Sequence, residues 1–374
     1  MRATTRLSLS PLVAARHRCA ASCASTRTPP VARRTSCARA VLDDDLAMAA
    51  ATNEDDGTNA DAAAPRKRIR CDPATTGVTG MRNYTLLHGA ALMTSQSVYG
   101  ELELQEASQK VKGVRVRQHV NPLTERFQRQ APTPVWAEAF SDVTRPLTID
   151  IGCGGGRFDL LYAKRHAGTR NILGVDVRAP LVERGSAWGE AAGVVDNVHF
   201  AECNATVSIG EWIKSYNACG EGKGVVDLVC AQFCDPHFKK KHRKRRIVQK
   251  TLVEQLAREL TPGARVFLQS DVRELTEDMR DKFERFGGDY FELDDELYDA
   301  DAVAAKIEAA ANAPPDEEAA DVHEDGWRST WAHAGWLDEN PLGIPTEREV
   351  QTTGEGLPVF RIMLQRNGKA YAAA

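Results

Sequence analysis

The chain has 374 residues, 42% of them apolar, enough to bury a full α/β core and leave well over a hundred residues for extensions. Its formal net charge of −4 would argue against a polyanionic partner if charge were spread evenly, and it is not. No stretch reaches the roughly 18 consecutive apolar residues that cross a bilayer. The nine cysteines lack paired C-x-x-C spacing, so neither a zinc site nor a disulfide framework is signalled and free thiols are expected.

From Met1 to Leu42 there is no Asp or Glu, while Arg2, Arg6, Arg16, Arg18, Arg27, Arg33, Arg34 and Arg39 recur among Ser, Thr and Ala. That is the composition of an organelle transit peptide over residues 1–45, and the abundant Ser, Thr and Pro favour a plastid over a mitochondrion. Pro65-Arg66-Lys67-Arg68-Ile69-Arg70 is an alternative, nuclear signal. Residues 46–105 form an Ala-, Asp- and Thr-rich linker, and residues 106–145 a basic, proline-broken arm around Val114–Leu123 and Pro132, Pro134 and Trp136.

From Leu147 the pattern becomes short β-rich apolar runs alternating with helical ones. Strands are predicted at Leu147–Ile151, Ile172–Val177, Val198–Glu202, Val226–Phe233 and Arg265–Ser270, with helices at Arg157–Arg165, Pro180–Ala192, Ser208–Tyr216, Arg245–Leu260 and Glu274–Phe286. Five alternations make a doubly wound α/β, Rossmann-like fold with a mostly parallel sheet and helices on both faces. This domain spans residues 146–298 and 326–370, interrupted by an acidic, Ala-rich insertion at 299–325 that reads as solvent-exposed and disordered. A last strand is expected at Val359–Leu364.

The first strand runs into Asp150-Ile151-Gly152-Cys153-Gly154-Gly155-Gly156, where glycines let the backbone turn sharply and approach a ligand closely. Asp176, 24 residues beyond Gly152, ends the second strand, where a carboxylate can accept hydrogen bonds from both hydroxyls of a ribose. A dinucleotide loop would read G-x-G-x-x-G; this one reads G-x-G-x-G behind Asp150, a carboxylate that suits the sulfonium and amino group of S-adenosyl-L-methionine better than a diphosphate. Asn204-Ala205, just past the third strand, lies at the ligand-binding edge, where Asn204 either reaches an adenine or caps a helix.

After the fourth strand comes Phe233-Cys234-Asp235-Pro236-His237-Phe238-Lys239, then Lys240-Lys241-His242-Arg243-Lys244-Arg245-Arg246. Seven of the eight residues from Lys239 to Arg246 are Lys or Arg. So dense a run three residues beyond an edge aspartate points to a polyphosphate backbone rather than to a solvated helix face.

Phe233–Gln249 resembles the F-P-D-P-W-x-K-x-x-H-x-K-R-R-x-x-Q signature of the bacterial-type tRNA (guanine-N7)-methyltransferases. His119-Val120-Asn121-Pro122-Leu123 is similar to that family's H-x-N-P-L element, and Asn340–Glu349 to its T-x-x-E segment. The resemblance covers Arg115 to Arg366. It implies methyl transfer from S-adenosylmethionine to a variable-loop guanine of tRNA, with Asp150, Gly152, Asp176 and Asn204 at the cofactor, where Gly154 and Ala205 of the same loops are also expected. It further implies Asp235 as the catalytic aspartate, Lys239 and Asp271 on the substrate, and Thr346 and Glu349 at the target base; Arg245 of the basic run is expected on the substrate's phosphates. Cys234 stands where the family has Pro, His237 where it has Trp, Phe238 where Pro or His is common, and Ser270 where it has Thr. The expected partner is tRNA, with no metal and no membrane; monomer, homodimer and an accessory subunit all stay open. The alternatives are a Rossmann-like methyltransferase of rRNA or protein, and a non-catalytic RNA-binding relative.

Overall fold

The computed structural model describes residues 97–110, 116, 120–219, 222, 224–312 and 327–372. The transit-peptide and basic-signal segments, His119 and residues 313–325 of the insertion lie outside them. In chain order the elements are α1 (Gln105–Lys110), α2 (Trp136–Ala139), β1 (Leu147–Ile151), α3 (Arg157–Arg165), β2 (Asn171–Asp176), α4 (Ala179–Ala192), β3 (Val198–Glu202) and α5 (Ala205–Cys219). There follow β4 (Val226–Gln232), α6 (Lys250–Glu259), β5 (Arg265–Ser270), α7 (Arg273–Gly287), β6 (Phe291–Leu293), α8 (Ala300–Asn312), α9 (Glu347–Gly354) and β7 (Phe360–Arg366).

The seven strands form one sheet in the order β3-β2-β1-β4-β5-β7-β6. β1 to β5 are parallel, while β7 runs antiparallel to β5 and β6 antiparallel to β7. The chain reverses direction across the sheet between β1 and β4, which opens a crevice at the carboxyl edge. Both faces are covered, as the near-continuous apolar strands require. Leu147, Ile149 and Ile151 of β1 pack on one side with Ile209, Ile213, Leu252 and Phe283 from α5, α6 and α7. On the other, Ile172 and Phe200 join Phe158, Leu161 and Trp188 from α3 and α4.

The five parallel strands fall within one residue of their predicted limits at either end, but β6 is too short to show a period and went unseen. Three other differences have physical causes. The helix predicted from Arg245 starts at Lys250 instead, after a 3-10 turn at Lys240–Arg245. Successive like charges disfavour an α-helix there. Arg246 turns inward besides, donating to the Pro236 carbonyl (2.8 Å) and pairing with Glu274 (2.7 Å) and Asp278 (3.3 Å). In the expected linker, Tyr99, Leu102 and Leu104 are buried beside Phe158 and Leu161, so packed structure reaches back to residue 97. In the insertion expected to be disordered, residues 300–312 form α8, and Val303 packs against the main core.

The arm at 120–145, regular only in the short turns at Glu125–Gln128 and α2, is strapped to the domain by side chains. Arg126 pairs with Glu202 (2.7 Å), the Ala131 amide donates to Ser208 Oγ (2.9 Å), and the Trp136 indole donates to Ser215 Oγ (3.1 Å). Trp136 also packs edge-on against Tyr216 and parallel to Phe140.

Candidate active site

The carboxyl ends of β1, β2, β3 and β4 converge on a cavity of about 660 Å³. Its wall brings together seven residues singled out from sequence: Gly152, Asp176, Asn204, Ala205, Asp235, Arg245 and Asp271. Asp150, Gly154, Lys239, Thr346 and Glu349 are not part of that wall.

The turn after β1 is made by left-handed glycines. Gly152 and Gly156 have φ of 85° and 76°, and a Cβ on Gly156 would stand 2.6 Å from the Phe200 ring. Alanine at either position meets strain, a clash, or both. The turn is pinned by the Gly152 and Cys153 amides, which donate to the Val175 carbonyl at 2.7 and 3.1 Å. Asp150 lies beneath it, 4% exposed, accepting from Gln232 Nε2 at 3.1 Å. Burial, helped by the charge of Asp176 and opposed by the Gln232 hydrogen bond, pushes the Asp150 carboxyl up to about 7.

At the end of β2, Asp176 is engaged by its own chain. Arg178 donates to it through its backbone amide (2.9 Å), Nε (2.8 Å) and Nη2 (2.6 Å), and Gly154 through its amide (3.3 Å). Asn204 stands immediately before α5. Its Oδ1 accepts from the Thr206 amide (3.2 Å) and hydroxyl (2.8 Å), and its Nδ2 donates to the Phe127 and Pro122 carbonyls (3.1 and 3.3 Å), holding the arm against the cavity. Val120 and Pro122 of that arm line the wall.

The loop after β4 is shaped differently. Phe233 and His237 adopt φ of 47° and 43° without being glycine, a conformation that costs roughly 1–2 kcal/mol per residue. Between them Asp235 faces the cavity, with Oδ1 accepting from the His237 amide at 3.2 Å and the His237 ring 3.7 Å from Oδ2. The left-handed turn tucks the His237 ring in and throws the next side chain out: Phe238 is 65% exposed on the cavity wall. Lys239, Lys240, Lys241, Arg243 and Lys244 are exposed beyond it, Arg245 is half-buried in the wall, and Arg246 is buried. The basic run is therefore not uniform, because its last member anchors the loop.

The segment resembling T-x-x-E is a capping box. The Glu349 amide donates to Thr346 Oγ1 (3.1 Å), and the Thr346 amide to Glu349 Oε2 (3.4 Å), which starts α9. The Glu349 carboxylate is buried and also accepts from Arg361 Nη2 (2.8 Å), Asn340 Nδ2 (2.8 Å) and Gln269 Nε2 (3.1 Å). Gln269 bridges on to Gln232 (2.7 Å), so a buried polar chain crosses β1, β4, β5 and β7 from Asp150 to the start of α9. The residues of this segment that reach outward are Arg348, which lines the cavity and donates to Asp271 at 2.9 Å, and Glu347, which pairs with Arg157 at 2.5 Å behind the glycine turn.

Sequence reading gave no role to Arg178, Phe238 or Arg348, which stand in the wall. Arg178 carries a usable signal, a cation two residues beyond an expected ligand carboxylate; Arg348 sits inside the T-x-x-E segment but is hidden by its neighbours. Among the described residues no group of three or more His, Cys, Asp or Glu could hold a metal ion, and no helix is long and apolar enough to cross a membrane.

A doubly wound sheet with a glycine turn after β1, an acidic end to β2 and a cavity at the switch point defines a nucleotide-cofactor class of α/β protein. Within it, residues 144–313 match the family described as "Putative methyltransferase". The chain is 40% identical over 258 residues to the tRNA (guanine-N(7)-)-methyltransferase of Synechococcus sp. (strain JA-3-3Ab), a match spanning 69% of this chain and 88% of the relative. It is 36% identical over 253 residues to the protein of the same name from a Synechocystis strain, covering 68% of this chain and 98% of that one. The chain belongs to the tRNA (guanine-N(7)-)-methyltransferase family.

Proposed function

We infer that this chain transfers a methyl group from S-adenosylmethionine to N7 of a guanine in tRNA, with the variable loop as the acceptor region. The observation that carries the reading is the juxtaposition, within a chain so similar to these relatives, of a cavity at the sheet's switch point, Asp235 in its wall and the exposed cations from Lys239 onward. The cavity volume is of the size that takes a cofactor of this kind together with part of an acceptor base. Gly152, Gly154, Asp176 and Ala205 would hold the donor, and Asn204 would support it by fixing the arm. When bound, the cofactor supplies an electrophilic methyl group on a sulfonium.

Guanine N7 carries an in-plane lone pair, so the protein has no proton to remove there. Asp235 accepts hydrogen bonds from guanine N1–H and its exocyclic amine, which fixes the ring and stabilises the positive charge that develops on it. Phe238 offers the exposed aromatic face on which an unstacked base rests, in place of the tryptophan that His237 replaces. Lys239 and Arg245 hold phosphates, and Asp271 acts with Arg348 at the cavity rim. Thr346 and Glu349 act indirectly, by starting α9 so that Arg348 reaches the cavity.

The decisive experiment incubates the full chain with unmodified tRNA and labelled methyl donor, then maps the modified nucleotide. N7-methylguanine in the variable loop is the expected product. Label on rRNA or protein, or none at all, would overturn the reading. Replacing Lys239 and Arg245 with alanine should weaken tRNA binding and lower its salt slope by about one unit per lost phosphate contact. The acid-free, Arg-rich residues 1–42 and the cyanobacterial relatives support a plastid as the compartment. A fluorescent fusion of residues 1–60 tests that, and a nuclear or cytosolic signal would reject it.

A further inference from the structure

Asp176 is the carboxylate assigned above to the ribose of the donor, and its hydrogen-bonding capacity is already full. Its side chain is 2% exposed. Oδ1 accepts from the Arg178 amide (2.9 Å) and Nε (2.8 Å), and Oδ2 accepts from Arg178 Nη2 (2.6 Å) and the Gly154 amide (3.3 Å). A carboxylate has about four lone-pair sites, so none is left for a pair of ribose hydroxyls. Some donor has to leave. The two backbone amides belong to the start of α4 and to the glycine turn and cannot depart without rebuilding both. The guanidinium can depart by rotating its side chain.

Where it can go is limited by the cavity. Arg178 is 28% exposed and lines the same wall as Asp235, Phe238 and Arg245, and the negative charge of Asp235 acts on it. A guanidinium set against the N7 and O6 edge of guanine would occupy the nitrogen that reacts. A phosphate of the acceptor strand is the remaining group that a planar cation pairs with well.

We propose that Arg178 is a positioning residue coupling the two halves of the cavity: its guanidinium competes with the ribose for Asp176, and the incoming ribose releases it to bind an RNA phosphate. The inference rests on the assignment of Asp176 to the ribose. It means that the donor prepares the protein for tRNA, and by thermodynamic reciprocity that tRNA tightens the donor by the same factor.

The test is calorimetric titration of the full chain with S-adenosylhomocysteine, and with an unmodified tRNA transcript, each alone and in the presence of the other, across a range of salt. In the unaltered protein the homocysteine compound should tighten tRNA binding several-fold and steepen its salt slope by about one unit. In Arg178→Ala the compound should bind several-fold more tightly in the absence of RNA, because nothing has to be displaced, and the response of tRNA binding to it should vanish. Arg178→Lys, which keeps the charge but not the paired contact, should fall between; it also serves if thermal melting shows the alanine variant to be misfolded. Weaker binding of the compound by Arg178→Ala without RNA would mean that Arg178 merely orders Asp176, and would overturn the proposal. So would equal salt slopes with and without the compound in the unaltered protein. Failure of that protein to bind the compound at all would remove the donor reading as well, whereas binding without coupling would remove only the role of Arg178.

Discussion

Two turns at the carboxyl edge of the sheet do opposite things with the same backbone conformation. After β1 the left-handed positions are glycines, Gly152, Gly154 and Gly156, so the turn that bounds the cavity carries little strain. After β4 they are Phe233 and His237, whose side chains make the conformation unfavourable. The second turn is held by its surroundings instead: the Phe233 amide donates to the Gln269 carbonyl (2.8 Å), and buried Arg246 grips the Pro236 carbonyl from below. A relaxed cradle suffices where a ligand must fit against backbone. A strained loop held from outside fixes Asp235 and Phe238 in directions that an unstrained one would not.

The largest effect should come from removing the group that the strained loop presents. Asp235→Ala should lower kcat about 10²- to 10³-fold, as expected for losing a hydrogen-bonding partner of developing charge, while S-adenosylhomocysteine affinity changes less than about twofold. Equal losses in kcat and in cofactor affinity would place Asp235 on the donor side and dissolve the contrast between the two turns. Next in size is Phe238→Ala, which should weaken tRNA binding by about 1–3 kcal/mol, the range for losing one stacked base. Its melting temperature should hold, because the side chain is largely exposed, and Phe238→Trp should restore KM. An unchanged KM in the alanine variant would leave the outward-turned ring without a role.

Thr346→Ala separates a structural from a direct function for the T-x-x-E segment. Losing the cap should cost about 1 kcal/mol and lower the melting temperature by roughly 2–4 °C for a folded region of this size, with little change in tRNA affinity beyond that. Thr346→Ser should recover the loss. A variant that melts normally and fails to bind tRNA would return Thr346 to the acceptor.

The central strands and the glycine turn were legible because each rests on local rules: continuous apolar runs for strands buried on both faces, and glycine where φ must be positive. The cavity's principal acids were legible for a related reason, since Asp176 and Asp235 lie at the carboxyl ends of recognisable strands. What stayed hidden depends on contacts between distant segments. Nothing local marks Tyr99 as buried, since its partners Arg157, Glu347 and the Pro345 carbonyl (2.6 Å from its hydroxyl) lie tens to hundreds of residues away. Nor does composition tell Arg246 from its six basic neighbours, because its inward turn depends on Glu274 and Asp278 of α7. Glu349 is the instructive case. Its motif carries the expectation of a base contact, and a Thr followed three residues later by Glu is also a capping-box signal; that the carboxylate is buried in that box is a tertiary property.

The smallest effect concerns the acid under the relaxed turn. Asp150 is raised from its ordinary value near 3.8 to about 7, first by burial and then by Asp176, while Asp159, fully buried on α3 with neither carboxylate oxygen hydrogen-bonded among the described residues, is raised by burial and by Asp150 itself. In the ligand-free protein a raised carboxyl contributes stability that is present below the unfolded value and lost as pH rises through about 7. On the expectation that Asp150 serves the donor's cationic amino group, donor binding favours the ionised form, lowers this pKa and releases protons. Affinity for S-adenosylhomocysteine, which keeps that amino group, should therefore rise with pH up to about 7 and level off above it, by at most one tenfold step per pH unit. Asp150→Asn keeps a partner for Gln232 but cannot ionise, and should flatten the profile. A profile that keeps its slope in that variant would assign the proton to Asp159, and one that falls with rising pH would remove the acid from the donor site altogether.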